Sequence, residues 1–472
     1  MSIDYLDHEV APSVKWERPL NALETLFASA NVRFALVVTI PCSKDNNEKC
    51  EDLWNNLQQS IHVAIQSSRI GYLSLEYRED SRKETHDESS WKLVEHTTPV
   101  ARLALQNAKS LAIEDPQTFL LSEVAQTSSG EGPLLIRLIR TSSGMVLTVD
   151  GNHAMVDGRS LTQLVHLATL CTPRSADDDD DDWKQVRIPD WKDLVKDALP
   201  GSSITEHGRD DVAGTTDATT MLTLAELHKS VTPEQHQSCP DQTFAFPVSI
   251  VTEIRNALKT KASPASVTGV IVAALLQSLA TEYESSSTNN NAAKPKDIGI
   301  STLVDLRPYI QQQSQNHGSK TANPLPQIPQ IHGTVTLVER SDMVLELSTL
   351  KLARQMTLQL HRRIQRGEAH RASLAMTTGN FGQLPASTME LSNLGVCQLG
   401  TDGSALWTAQ RFDEYDGVSC MVHSESFLSS SSSTETGMMR WTVSVGNGID
   451  AETIRRVFVR ASNLFQAVAS NT

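Results

Sequence analysis

The stretch Leu147–Cys171, LTVDGNHAMVDGRSLTQLVHLATLC, contains the transition that decides the fold. It begins as a strand, because apolar residues alternate along it, and it then passes through a glycine-flanked turn. It ends as a helix, with apolar residues at helical spacing. Ser160 is the expected N-cap, and Gln163 three residues later would complete a capping box. A histidine in the turn, His153, is therefore held in direction while a substrate can still reach it.

The turn contains the pattern H-x-x-x-D-G, formed by His153, Asp157 and Gly158. With 14 histidines and 23 glycines in 472 residues, chance predicts fewer than about 0.1 matches. Two interpretations are open on the pattern alone. The histidine and the aspartate either tie down a turn between a strand and a helix, or they belong to a reactive site.

The passage resembles the active-site motif of the acyltransferase superfamily that includes chloramphenicol acetyltransferase, CoA-dependent alcohol acyltransferases and peptide-synthetase condensation domains. Three further stretches resemble other motifs of the family, in family order: PLNALE at 19–24, VDLRP at 304–308 and LSNLG at 391–395. The resemblance covers nearly the whole chain. It implies an α+β fold of two chloramphenicol acetyltransferase-like lobes, each a mixed sheet flanked by helices, with an active-site tunnel between them.

Two departures narrow the resemblance. Condensation domains usually carry two successive histidines, and Asn152 occupies the first of these places while His153 matches the second. The D-F-G-W-G motif of plant members is absent from the sequence. We therefore expect a fungal-type acyltransferase of secondary metabolism rather than a plant enzyme or a condensation domain.

The resemblance implies a role for each motif residue. His153 is the expected general base, since a histidine has a pKa near working pH. Asp157 is expected to point away from His153 and to pair with Arg307 of VDLRP, which would hold the loop in shape. Gly158 is expected to permit a tight departure into the helix. Asn393 is expected to have a structural role at the site.

Four residues are weaker candidates for substrate or CoA contacts. Ser392 lies where family members pass a strand between the lobes. Arg362 and Arg363 belong to a basic stretch at 351–371 that could receive CoA phosphates, although a solvated helix face is the simpler interpretation. Trp407 could shape a substrate pocket, although core packing explains it equally well.

Composition excludes several classes of partner. The formal charge of −15 and the pI near 5.4 argue against nucleic acid and anionic membranes, because both require a basic face. The longest apolar runs are shorter than a spanning helix, and the acidic N-terminus is unlike a secretory signal. Six cysteines lack zinc-site spacing, so we expect no metal, reduced thiols and a cytoplasmic protein: they are Cys42, Cys50, Cys171, Cys239, Cys397 and Cys420.

Helical and strand patterns divide the chain into two mixed halves. We expect an N-terminal lobe at 1–185 that carries the motif, a linker or crossover at 186–240, and a C-terminal lobe at 241–472. An acidic run at 177–182 and a Gly/Ser/Thr/Asp-rich stretch at 201–220 favour this boundary. Within the second half, Met343–Arg366 is predicted to form one long helix.

The sequence thus predicts an enzyme that moves an acyl group from acyl-CoA, as co-substrate, to a hydroxyl or less favourably an amine of a small molecule. Transfer is expected to be direct, without an acyl-enzyme. Three alternatives stay open: an acyl carrier protein as donor, as in condensation domains; a non-catalytic binding protein; and a relative that catalyses a ring-forming reaction. Two lobes in one chain are self-sufficient, so we expect a monomer.

Overall fold

The structure is a computed structural model. It describes residues 4–5, 12–42, 47–78, 91–108, 116, 119, 132–170, 194–196, 220–227, 242–259, 265–287, 294–310, 332–400, 403–411, 417–427, 437–446 and 449–470. The acidic run at 177–182, the stretch at 201–219 and most of the expected linker at 186–240 lie outside these residues.

The first lobe is built on a six-stranded mixed sheet in the order β1-β6-β8-β9-β3-β14. Its strands are β1 Asp4–Tyr5, β3 Arg33–Pro41, β6 Arg102–Asn107, β8 Leu135–Arg140, β9 Gly144–Asn152 and β14 Ala405–Arg411. The helices α1 Ala22–Ser29, α2 Asn47–Ser67 and α3 Gly158–Thr169 accompany it. Strands β8 and β9 form a hairpin, and β9 runs directly into the histidine turn.

The second lobe has its own six-stranded mixed sheet, in the order β10-β16-β15-β13-β11-β12. The strands are β10 Gln242–Pro247, β11 Asp297–Asp305, β12 His332–Arg340, β13 Met389–Leu399, β15 Val418–Phe427 and β16 Met438–Val445. The helices are α4 Val248–Lys259, α5 Val267–Ser287, α6 Ser341–Glu346, α7 Thr349–Gln365, α8 Glu368–Thr377 and α9 Ala451–Ser470. Every residue of helix α5 from Gly269 to Leu276 is buried, so this part of the helix lies at the centre of the core of this lobe.

The described residues also form a four-stranded sheet. Its strands, in spatial order, are β2 Val14–Pro19, β5 Trp91–His96, β4 Leu73–Tyr77 and β7 Gly132–Pro133. The predicted α+β class with two mixed lobes is confirmed. The lobes do not follow the sequence strictly, because β14 comes from the second half of the chain and pairs along its whole length with β3. A segment of the second half therefore forms the edge of the first sheet.

The single helix predicted over Met343–Arg366 is wrong, because the chain breaks at Leu347 and Ser348 into α6 and α7. Leu347 is extended, and the Ser348 hydroxyl caps α7 by accepting from the backbone of Lys351. Serine commonly ends one helix and begins another in this way, since its side chain competes for backbone donors. Gln277 of α5 donates to the Leu347 carbonyl and stabilises the break.

The expectation of reduced thiols is wrong for two of the six cysteines. Cys42, next to the end of β3, is joined by a disulfide to Cys50 in the first turn of α2, with Cα atoms 5.9 Å apart. Strand and helix bring these cysteines together, which their scatter along the sequence did not reveal. The pair removes the cysteine argument for a cytoplasmic location. Cys397 and Cys420 are buried free thiols, and Cys171 and Cys239 lie outside the described residues.

Among the helices that the structure describes, none combines the length and the apolar character that crossing a lipid bilayer requires.

Candidate active site

The PLNALE stretch positions the first wall of the site. The buried Arg18 forms two hydrogen bonds with Glu24, at 2.7 and 2.6 Å. Asn21 caps α1 in a capping box with Glu24, so these two residues of the motif fix the start of the helix. One turn later Phe27 stacks on the His153 ring, with centroids 4.6 Å apart and planes 15° apart. The motif therefore acts through α1, which supplies the face on which the histidine rests.

The buried His153 follows directly on the end of β9. Its backbone N–H donates to the Val32 carbonyl at 2.7 Å, which anchors the turn to the chain entering β3. Its Nδ1 lies 2.8 Å from the Val156 carbonyl oxygen. Because a carbonyl can only accept, Nδ1 carries the proton and Nε2 carries the lone pair in the neutral ring. Burial lowers the pKa of His153. The Val156 carbonyl and Asp157 both raise this pKa, but the effect of burial is larger.

Asn152 has a clear structural role at the place where condensation domains carry a histidine. Its side-chain oxygen accepts from the backbone N–H of Ala154 at 2.9 Å. This hydrogen bond closes the turn immediately around His153. An asparagine at this position therefore stabilises the loop that presents the histidine.

Asp157 is the N-cap of α3, which corrects the expected cap at Ser160. One carboxylate oxygen of Asp157 accepts from the backbone of Ser160 at 2.8 Å, and the Ser160 hydroxyl bonds back to the Asp157 backbone N–H at 3.0 Å. The capping box therefore uses Ser160 at its third position, and Gln163 does not take part in it. The helix begins three residues earlier than expected, because an aspartate caps as well as a serine.

The second oxygen of Asp157 accepts from Arg307 Nη2 at 2.5 Å, so the expected pair across the two lobes is present. Both side chains are buried. Burial alone would raise the pKa of Asp157, but Arg307 and the Ser160 N–H outweigh it and hold that pKa below its usual range. Arg307 also contacts Asp305 at 3.2 Å, which in turn pairs with Arg159 at 3.1 Å. The carboxylate thus secures the loop, and the Val156 carbonyl orients the His153 ring.

A second histidine, His332 at the start of β12, faces His153. The two ring centroids are 6.4 Å apart and the planes differ by 14°. Burial, followed by the proximity of His153, lowers the pKa of His332 to about 3. Both imidazoles are therefore held neutral at ordinary pH.

A cavity of about 370 Å³ between the two lobes is lined by His153, Asp157, Arg307 and His332. The wall formed from α1 to the start of β3 is apolar, and the wall from the second lobe is partly polar. The first wall includes Leu23, Leu26, Phe27, Ala30, Val32 and Phe34; the second includes Leu303, His332, Thr334, Glu390, Ser392 and Ser419. Such a cavity can hold an apolar substrate with polar groups on one side.

A second cavity of about 480 Å³ adjoins the first. The two cavities share Arg159, Asp305, Arg307 and Leu394. The second is otherwise lined mostly by polar residues of α3 and β13, among them Thr162, Gln163, His166 and Gln398. The ion pair between Asp157 and Arg307 therefore lies where an apolar space meets a polar one.

Gly158 and the LSNLG stretch meet at this junction. A Cβ on Gly158 would lie 2.6 Å from Leu394 Cδ2 and 2.9 Å from Phe34 Cζ, so the glycine permits close packing there. Ser392 lines the first cavity. Asn393 also lines it, and its side chain donates to Thr268 on α5 at 3.0 Å and accepts from the Gly395 N–H at 2.9 Å. These bonds connect Asn393 to α5 and to its own strand, and a structural role for it stays a prediction.

The remaining candidates lie away from both cavities. Arg362 is exposed near the end of α7, and Arg363 pairs with Glu368 at 3.4 Å. Trp407 lies on β14, where the Arg440 guanidinium sits 4.6 Å from its ring centroid. Neither cavity includes these three residues in its walls. Contact between the arginines and CoA stays a prediction, and so does a role for Trp407 in a substrate pocket. The Trp407 ring is half-buried and packs against a small apolar cluster.

Sequence reasoning missed His332 because it missed β12. In HGTVTLVER, buried Val335 and Leu337 alternate with His332, Thr334 and Thr336, which is the period of a half-buried strand. That alternation would have placed the histidine on the polar face. Among the described residues, His, Cys, Asp and Glu side chains form no cluster of three that could hold a metal ion.

Comparisons by sequence find no counterpart: no protein-family model and no curated protein matches the chain. Comparison by structure finds three informative neighbours. Trichothecene 15-O-acetyltransferase from Fusarium sporotrichioides superposes with a TM-score of 0.58 at 9% identity, over 97% of this chain and 98% of that chain. The first condensation domain of the calcium-dependent antibiotic synthetase gives 0.57 at 11% identity, over 97% of each chain. TRI101 of F. sporotrichioides, complexed with coenzyme A and T-2, gives 0.51 at 12% identity, over 94% and 97%.

The chain therefore has the fold shared by CoA-dependent acyltransferases and condensation domains, along nearly its whole length. Identity near 10% establishes the fold and leaves the reaction to be argued from the site.

Proposed function

We propose that the protein is an acyltransferase that moves an acyl group from acyl-CoA to a hydroxyl group of a small molecule. The observation that carries this proposal is the hydrogen bond between His153 Nδ1 and the Val156 carbonyl. It assigns the lone pair to Nε2 of a neutral, buried ring at the cavity between the lobes. A general base for an alcohol requires this tautomer and this protonation state.

The reaction is a direct transfer. His153 Nε2 accepts the hydroxyl proton as the acceptor oxygen attacks the thioester carbonyl carbon. The tetrahedral intermediate then collapses, the carbon–sulfur bond breaks, and the His153 imidazolium returns its proton to the departing thiolate. Asp157 and Arg307 maintain the loop that orients the ring, and the largely buried setting excludes water.

Two parts of the proposal, the acceptor alcohol and the acyl donor, are supported by different observations. An apolar cavity wall with few polar groups favours a small, largely apolar alcohol, such as a secondary metabolite of the fungal type. The donor could instead be attached to a carrier protein, because a condensation domain shares the fold. Asn152 favours CoA over a carrier protein as the donor, because condensation domains usually carry a histidine at this position.

The test is thiol release from a panel of acyl-CoAs, with and without a mixed pool of alcohols and amines. We expect release that the acceptor pool stimulates in the wild type and that His153→Ala lowers by about 10²–10⁴-fold. His361→Ala, which replaces an exposed histidine on α7, is the matched control and should behave as the wild type. Parallel assays with acyl groups on phosphopantetheine and on a carrier protein separate the two donors.

Equal release by the wild type and His153→Ala would remove His153 from the chemistry. No release from any donor, combined with no calorimetric binding of CoA, would favour a non-catalytic binding role.

A further inference from the structure

The cavity holds a second imidazole that no sequence motif contains. His153 follows the end of a strand in the first sheet, whereas His332 begins β12 in the second sheet. The two rings face the same cavity with centroids 6.4 Å apart and nearly parallel planes. The space in which the proposed reaction occurs is therefore bounded by a histidine from each lobe.

His332 is held rigidly at this place. Strand β12 pairs with β11 from Asp297↔Arg340 to Asp305↔His332 without a break in register. The next residue, Gly333, lies so close to α8 that a Cβ there would overlap the Ala369 carbonyl. A site residue on a rigid strand between two packed elements can keep a fixed distance to a reacting atom.

The protonation state of His332 follows from its surroundings. Burial and the neighbouring His153 hold its pKa at about 3, with Asp157 favouring the protonated ring and Arg307 opposing it. Asp305 on the adjacent strand is paired with Arg307 and Arg159. A neutral imidazole has one N–H donor and one acceptor nitrogen. His332 therefore stays neutral at ordinary pH and keeps one N–H to donate.

We propose that His332 is a catalytic residue that donates its imidazole N–H to the thioester carbonyl oxygen as that oxygen becomes an oxyanion. This inference rests on the proposed function. Both rings border the same cavity, with centroids 6.4 Å apart, and each ring nitrogen donates or accepts in the plane of its own ring. A thioester that meets the acceptor at the edge of the His153 ring therefore has its carbonyl oxygen within reach of the edge of the His332 ring.

The step balances without a further reactant. The acceptor's proton moves to His153, the new carbon–oxygen bond forms, and the carbonyl π pair moves onto the oxygen that His332 solvates. The pair then returns, the carbon–sulfur bond breaks, and the thiolate takes the proton from His153. His332 keeps its own proton throughout, as an oxyanion donor should.

Three variants test the proposal with the thiol-release assay, after circular dichroism has verified that each folds. His332→Phe keeps a planar ring in the same place but removes the donor, and kcat should fall by about 10²–10³-fold with little change in the KM for acyl-CoA. His332→Gln restores an N–H donor and should recover part of the loss. The control is Thr336→Val, a buried residue on the same face of β12 outside the cavity, which should retain wild-type kcat.

A kcat for His332→Phe within twofold of the wild type would overturn the proposal, and so would a change confined to KM. Binding of a trifluoromethyl-ketone analogue of acetyl-CoA, whose hydrate carries the same oxygen, provides a readout that needs no turnover. The wild type should bind it at least about tenfold more tightly than His332→Phe, because the hydrate is neutral and loses one ordinary hydrogen bond. If the wild type releases no thiol, the proposed function fails, and equal or absent analogue binding then overturns the role of His332 separately.

Discussion

His153 satisfies two requirements that oppose each other in water. A general base must be neutral at working pH, and it must still be basic enough to take a proton. Stacking on Phe27 and enclosure between the lobes disfavour the charged ring, whereas the Val156 carbonyl and Asp157 favour it. Burial is the larger effect, so the ring stays neutral at pH values where an exposed histidine begins to protonate.

This balance predicts the pH dependence of acyl transfer. Because the pKa of His153 is lowered from 6.5, kcat/KM should stay level from neutral pH down past 6.5 and fall only below it. The decline should approach tenfold per pH unit, since one proton inactivates the base. The measurement is thiol release at saturating acceptor between pH 5 and about 8.5.

The residual rate of His153→Ala serves as the control, and it should show no inflection in this range. A wild-type inflection above 6.5 would mean that the ring is more exposed, or more strongly paired with a carboxylate, than the contacts to Phe27 and Asp157 indicate.

At the scale of the helix, the sequence pattern and the structure place the N-cap of α3 at different residues. Spacing favoured Ser160 as N-cap with Gln163 as its partner, and the structure instead places Asp157 at the cap with Ser160 as its partner. The two carboxylate oxygens of Asp157 therefore make different contacts, because one caps the helix and the other accepts from Arg307. The helix start and the contact between the lobes depend on the same carboxylate.

The two assignments of the capping box predict opposite orders of stability for two alanine variants. Ser160→Ala removes the hydrogen bond to the Asp157 backbone N–H and should lower the free energy of unfolding by about 1 kcal/mol. Gln163→Ala, on the exposed side of the same helix, should change it by less than about 0.5 kcal/mol. Chemical denaturation followed by tryptophan fluorescence compares them, and a larger loss for Gln163→Ala would restore the reading from spacing.

The elements that the sequence revealed are those in which one local pattern dominates. The strand, turn and helix of Leu147–Cys171 combine clear periodicity with a glycine-flanked turn, and they form β9, the histidine turn and α3 in that order. The break at Ser348 was missed because a capping serine is compatible with a helix interior, and α5 contributes to the choice through Gln277. The role of β14 depends on pairing with β3, hundreds of residues earlier in the chain, which no local pattern encodes.

At the scale of the molecule, two features join the halves of the chain. Strand β14 leaves the second half and completes the first sheet, and the Glu425 carboxylate of β15 holds it by accepting from the Leu406 N–H at 2.7 Å. Arg440 pairs with the same carboxylate and covers Trp407 on β14. On the other side of β3, Asp157 and Arg307 join the histidine loop to β11. The cavity therefore depends on contacts that cross from one half of the chain to the other.

The pair between Asp157 and Arg307 should be the most costly of these contacts to break from one side. Arg307→Ala leaves a buried carboxylate without its main partner, and we expect a loss of about 3–5 kcal/mol, seen as a lower Tm and a lower soluble yield. Arg159→Ala removes an exposed guanidinium from the neighbouring Asp305, and the expected loss is below about 1 kcal/mol. The two variants differ in burial and share both the residue type and a partner carboxylate.

A double-mutant cycle separates the pair from the cap. Asp157→Asn preserves an N-cap side chain and removes the charge, so Asp157→Asn combined with Arg307→Met leaves neither a buried anion nor its buried cation. The double variant should therefore be more stable than Arg307→Met alone, because an unpaired buried charge costs more than a missing pair. If the effects of the two substitutions simply add, the charges act independently. The histidine loop would then be held by the Asn152 and Val32 hydrogen bonds rather than by the contact between the lobes.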